Sequence, residues 1–132
     1  STVSDKRSAG VEHVIFEVKT YMTSWRQSEL REFEGLQIKV RAVVRCTGTD
    51  TKSNATYMMD VLFLAPDSQF PPPSFNAAKN QGFMFMPISD IGPFLDMMRY
   101  EKPIYGYIYP DKPDFTTIGT GNEPVGEQES EG

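Results

Sequence analysis

The stretch Leu36-Gln37-Ile38-Lys39-Val40-Arg41-Ala42-Val43-Val44-Arg45-Cys46-Thr47 alternates apolar and polar side chains along most of its length. Successive side chains of an extended backbone point to opposite faces. Leu36, Ile38, Val40, Ala42, Val44 and Cys46 are therefore expected on one face of a strand, with Gln37, Lys39, Arg41, Val43 and Arg45 on the other. Thr47 to Asn54 is turn chemistry throughout, and Ala55 to Leu64 is a second β-rich run. The two runs are expected to pair as a long hairpin.

Downstream, Pro66 to Asn80 reads as an irregular connection holding Phe70-Pro71-Pro72-Pro73-Ser74-Phe75, a polyproline segment flanked by aromatics. Phe83 to Met86 is a short apolar strand. Asp90 stands where a helix N-cap is needed, and Ile91, Phe94, Leu95 and Met98 follow helical spacing. Pro93 is tolerated in a first helical turn, whereas Pro103 bars continuation. Ile104 to Tyr109 and Phe115 to Ile118 complete the set as two strands joined by the turn Pro110-Asp111-Lys112-Pro113.

Upstream, Val11 to Met22 alternates and predicts a strand. Ser24 with Gln27 three residues on has the spacing of a capping box, and Gly35 is a natural helix stop, so a short helix is expected over Trp25–Glu34. Residues 1–10 read as a flexible arm, 11–119 as one β-rich domain, and 120–132 as a disordered acidic tail.

From Leu36 to Ile118 the order strand, strand, strand, helix, strand, strand resembles that of the oligonucleotide/oligosaccharide-binding fold. The resemblance rests on element order and covers about two thirds of the chain, with an extra N-terminal strand and a short helix in front of it. It implies a mainly β chain closed as a β-barrel, with α+β as the alternative class. It also implies a scaffold that binds single strands, oligosaccharides or proteins, without choosing among them.

Composition narrows the function. The net charge is −5, and Glu123, Glu127, Glu129 and Glu131 carry −4 of it, so the domain itself is close to neutral. No run approaches the roughly 18 apolar residues of a membrane span. The start of the chain has no apolar signal core, and a lone cysteine fits a reducing compartment. The expectation is a cytoplasmic protein with no membrane partner. His13 is the only histidine and Cys46 the only cysteine, so nucleophilic catalysis and metal binding have little to work with. No cofactor, metal site or catalytic residue is assigned.

Two surfaces are candidate binding sites. Lys39, Arg41 and Arg45 on one strand face could track phosphates, and Tyr105, Tyr107 and Tyr109 on another could stack bases. Phe70 and Phe75 beside the prolines join them as candidates. The expected function is a non-catalytic protein-interaction or assembly domain, with a protein partner or self-association. The alternative is single-stranded nucleic-acid binding through Lys39, Arg41, Arg45 and the three tyrosines. A second alternative is a small-ligand barrel or an acid/base enzyme using Asp60, a carboxylate in an apolar strand that would otherwise pair with a neighbouring strand's arginine.

Overall fold

The structure, a computed structural model, describes residues 13–122 and Val125. The expected arm over 1–10 and all of the expected tail except 120–122 and Val125 lie outside the described residues. One mixed sheet organises the chain. Its strands are β1 (Val14–Phe33), β2 (Leu36–Asp50), β3 (Thr56–Leu64), β4 (Ser74–Asn76), β5 (Gln81–Pro87), β6 (Ile104–Ile108) and β7 (Thr117–Thr120). They lie in the order β4-β5-β3-β2-β1-β6-β7, and all neighbours are antiparallel except β3 and β5. A parallel pair needs a crossover of a dozen residues or more. The Pro-rich connection after Leu64 supplies it, carrying β4 and a short 3-10 turn.

The helix expected over Trp25–Glu34 is absent, because β1 runs on through it to Phe33. Phe33 pairs with Leu36 across the two-residue turn Glu34-Gly35, where φ is +49° and +85°. Positive φ at both central residues is what a type I′ hairpin turn requires, and glycine takes it without a Cβ penalty. A left-handed glycine also ends helices, so the same residue serves either outcome. Energy decides between them. Helix propensities differ by less than about 1 kcal/mol per ordinary residue. Burying one Ile, Val or Leu is worth about 1.5–3 kcal/mol, and the hairpin lies where Ile38 and Val40 are fully enclosed.

Besides a one-residue shift between Val18 and Thr20, two irregularities face each other further along this hairpin. On β2, Val40 faces Leu64 but Ala42 faces Phe63, leaving Arg41 as an extra residue. On β1, Trp25 faces Ala42 and Glu29 faces Val40, so β1 carries two residues more than β2 over the same span. Such bulges kink a strand and change the face its later side chains take. The unbroken alternation expected from Leu36 to Cys46 is accordingly split. Ala42, Val44 and Cys46 pack with Phe16, Met59, Val61, Phe63 and the helix. Ile38 and Val40 instead join Leu62, Leu64, Val43, Phe33, Phe83 and Phe85 on the other face.

The helix α1 (Ile91–Tyr100) seals the first cluster with Phe94, Leu95 and Met98. Pro93 sits in its first turn as expected. Asp90 occupies the N-cap position without a capping hydrogen bond, since a 3-10 turn over Ile88–Asp90 leads straight into the helix. The last strand lies over Thr117–Thr120, because Pro113–Phe115 forms a 3-10 turn instead.

The sheet curls without closing, so the expected barrel is corrected to an open, mainly β sheet packed with one helix. Phe33 reaches from β1 over two intervening strands to meet Phe83 and Phe85 edge-on, at 5.1 and 4.9 Å between ring centroids. No backbone ladder accompanies that contact. On the helix side, Met84, Met86 and Ile118 line the gap between β5 and β7. Side chains border the seam, with a groove left between them, where a barrel would have hydrogen bonds.

Gly106 shows how tightly the curl is packed. It pairs with Phe16, and a Cβ there would overlap the Phe16 ring, whereas one at Gly119 would meet nothing. Overpacking a core costs about 1–3 kcal/mol. Gly106→Ala should lose that much stability in urea denaturation while Gly119→Ala stays within about 0.5 kcal/mol of the parent. Equal effects would contradict the packing described.

Candidate functional site

The three cations do not form a stripe. Arg41 is the bulged residue, exposed, with Nε donating to the Arg26 carbonyl at 3.4 Å. Lys39 lies before the bulge, on the face opposite Ile38 and Val40, and pairs with Asp67. That pairing holds the Asp67 carboxyl below its ordinary range. Arg45 lies after the bulge and belongs to the face of Val43. The register shift at Arg41 therefore divides a row that simple alternation would unite.

Arg45 is committed to Asp60. Its Nε and Nη2 donate to the two carboxylate oxygens at 2.7 and 2.8 Å, and Gln81 Nε2 donates to Oδ2 at 2.9 Å. Asp60 is buried while the Arg45 side chain is 42% exposed. The hydrogen bond to Asp60 holds the guanidinium above its ordinary pKa. A carboxylate accepting three donors has most of its lone pairs engaged and stands poorly placed to shuttle protons. Nearby, burial pushes the Cys46 thiol up to about 12, with the Asp60 charge a smaller cause. A thiol held that high is not a nucleophile near neutrality.

The tyrosines divide as well. Tyr105 and Tyr107 share the outward face of β6, with ring centroids 6.4 Å apart and planes tilted by 58°. Their sheet neighbours on β1 are Glu17 and Ile15. Tyr109 lies just past the strand, stacked on His13 at 5.1 Å and edge-on to Phe115 at 5.7 Å. Phe75 packs against the first core cluster, whereas Phe70 is exposed. These sequence candidates are thus scattered over several surfaces, and the structure does not bring them together.

Three shallow grooves offer little chemistry. One of about 340 Å³ is lined by Met84, Met86, Phe94 and Met97, with Asp90 its only ionisable side chain. A second, of about 310 Å³, brings His13 near Asp50, Lys52 and Tyr57. Asp50 there accepts from Lys52 N and Ser53 Oγ in its own turn. A third, of about 330 Å³, lies where β1 parts from β6, between Val18–Tyr21 and the end of α1. Among the described residues no group of His, Cys, Asp and Glu could hold a metal ion, and no helix is long and apolar enough to cross a membrane.

The feature that sequence reading missed is the free side of β1. β6 pairs only with Val14–Glu17. From Met22 to Phe33, β1 has β2 on one side and no strand on the other among the described residues. Met22, Trp25 and Leu30 lie along this segment at 59%, 62% and 61% exposure. Trp25 and Leu30 share one face, since they pair with Ala42 and Lys39 on either side of the bulge. Arg31 Nε and Nη2 donate to Glu29 at 3.0 and 3.1 Å, holding that carboxyl below its ordinary range. The signals were present in the sequence: Tyr21-Met22-Thr23-Ser24-Trp25 continues a β-type composition past Met22, and Glu34-Gly35 sits between two apolar residues.

Comparison with protein-family models, curated proteins and solved structures finds no match to this chain.

The Asp60 cluster is best understood as a structural clamp between β2, β3 and β5. Removing one member of a buried pair strands the other, at a cost of about 1–3 kcal/mol where the partner can rehydrate. Asp60→Asn and Arg45→Met should each destabilise by that order. The double variant should cost at least about 1 kcal/mol less than the sum of the two. Strict additivity in urea denaturation would contradict the clamp.

Proposed function

We propose that this chain is a non-catalytic protein-interaction module that docks a partner along the free edge of β1. One observation carries the reading: the edge from Met22 to Phe33 is long, unpaired among the described residues, and flanked by exposed Met22, Trp25 and Leu30. Unpaired strand edges present donors and acceptors in register for another strand. Exposed aromatic and aliphatic side chains beside them supply the anchors that dominate interface energies. The engagement of Asp60 and the height of the Cys46 pKa argue against an enzyme built on either residue.

Single-stranded nucleic acid on the Tyr105–Tyr107 face is the second reading, supported by the exposed-side placement of those rings. It has less behind it, because Lys39 and Arg45 are ion-paired and lie on different faces. Phosphate contacts dominate such binding and need accessible cations.

A photo-crosslinking residue at Leu30 tests the two together, with one at Lys79 as a control on an exposed turn. In an extract of the cells that make the protein, a protein adduct is expected at Leu30 and none at Lys79. Silence at both positions, with binding of a labelled oligonucleotide at about 50 mM salt, would overturn the protein-docking reading in favour of nucleic acid.

A further inference from the structure

We propose that the partner on this edge is a second copy of the same chain, paired antiparallel about a two-fold axis between Gln27 and Ser28. The inference rests on the edge-docking reading above and names its occupant.

An edge guarded against association typically carries lysine, proline or an inward-pointing charge. The β1 edge instead carries both signs in an order that complements itself on reversal. A two-fold axis between Gln27 and Ser28 sets Arg26 opposite Glu29 of the second copy, Trp25 opposite its Leu30, and Met22 opposite its Phe33. Each pairing occurs twice in an isologous interface. Shifting the axis by one residue towards the C-terminus sets Arg26 against Arg31, and one residue the other way sets Leu30 against Thr23. Neither alternative joins opposite charges and apolar pairs together.

Face parity admits this register and rules out an axis passing through Gln27 or through Ser28. Paired residues on neighbouring strands share a face. Trp25 and Leu30 are an odd number of positions apart, so a regular strand would place them on opposite faces. The bulged Arg41 puts their partners Ala42 and Lys39 on one face of β2, and the irregular stretch of β1 opposite it carries Trp25 and Leu30 to that same face. Met22 and Phe33 are likewise brought together on the opposite face, beside Arg45 and Leu36 respectively. Arg26 and Glu29 follow the face of Met22, and already approach within 3.7 Å in a single copy. In each copy Arg31 donates once to either oxygen of Glu29, which leaves each oxygen a second lone pair for Arg26 of the other copy. The irregular residues meet at the axis, and the ladders run on either side of it.

The test is sedimentation of the full chain over a range of concentrations, with circular dichroism to show that each variant keeps its fold. The parent should self-associate to a dimer. Arg26→Glu alone and Glu29→Arg alone place like charges opposite each other twice, and each should weaken the dimer at least about tenfold. An equimolar mixture of the two variants should recover a dimer, because both carboxylates of the first variant then face guanidinium groups of the second. A parent that stays monomeric at every concentration, or single variants that dimerise as the parent does, would overturn the proposal. If the parent is monomeric while Leu30 still crosslinks to a different protein, self-pairing fails but edge docking stands.

Discussion

The paired irregularity in the β1–β2 hairpin, Arg41 on one strand and the two extra residues between Trp25 and Glu29 on the other, governs the rest of the molecule. Without it, Ile38 and Val40 would face the helix with Ala42 and Val44, and the outer face would lose half its apolar cluster. With it, the far end of the hairpin swings over that face and brings Phe33 onto Phe83 and Phe85. One sheet thereby gains two cores, one under α1 and one under its own folded-back tip. The hairpin also outruns β6, which leaves most of β1 as an edge.

Much of the element order was legible in the sequence. The strands over Leu36–Thr47 and Ala55–Leu64, their turn, and the helix carrying Phe94, Leu95 and Met98 all follow from local periodicity. What failed did so for non-local reasons. The segment Trp25–Glu34 has helical caps at both ends and lacks a strict period of two, because the bulge interrupts it. Its strand state comes from β2, which no window around Trp25 contains. Barrel closure was likewise inferred from order, whereas closure depends on whether β7 finds a second ladder partner on the side away from β6. The parallel β3–β5 pair places β5 where such a partner would stand, and the seam is left to Met84, Met86 and Ile118.

The candidate site shows the same division. Alternation put Lys39, Arg41 and Arg45 in one row, and a single inserted residue redistributed them to a surface ion pair, a bulge and a clamp on Asp60. The expected cross-strand partner for Asp60 was legible, since an arginine on the neighbouring strand is the cheapest way to bury a carboxylate. The β1 edge was not, because a strand read as a helix has no edge. Trp25 and Leu30 are large apolar side chains more than half exposed, which is the surface that the proposed docking would cover.

Amide hydrogen exchange across β1, in a sample dilute enough to be monomeric, tests this account most directly. Between Met22 and Phe33, outside the irregular residues, every second amide should be protected by its bond to β2 and the alternate ones should exchange freely. Protection of both sets in the monomer would mean that the edge is already covered. Rapid exchange of both would mean that the segment is not a strand of this sheet.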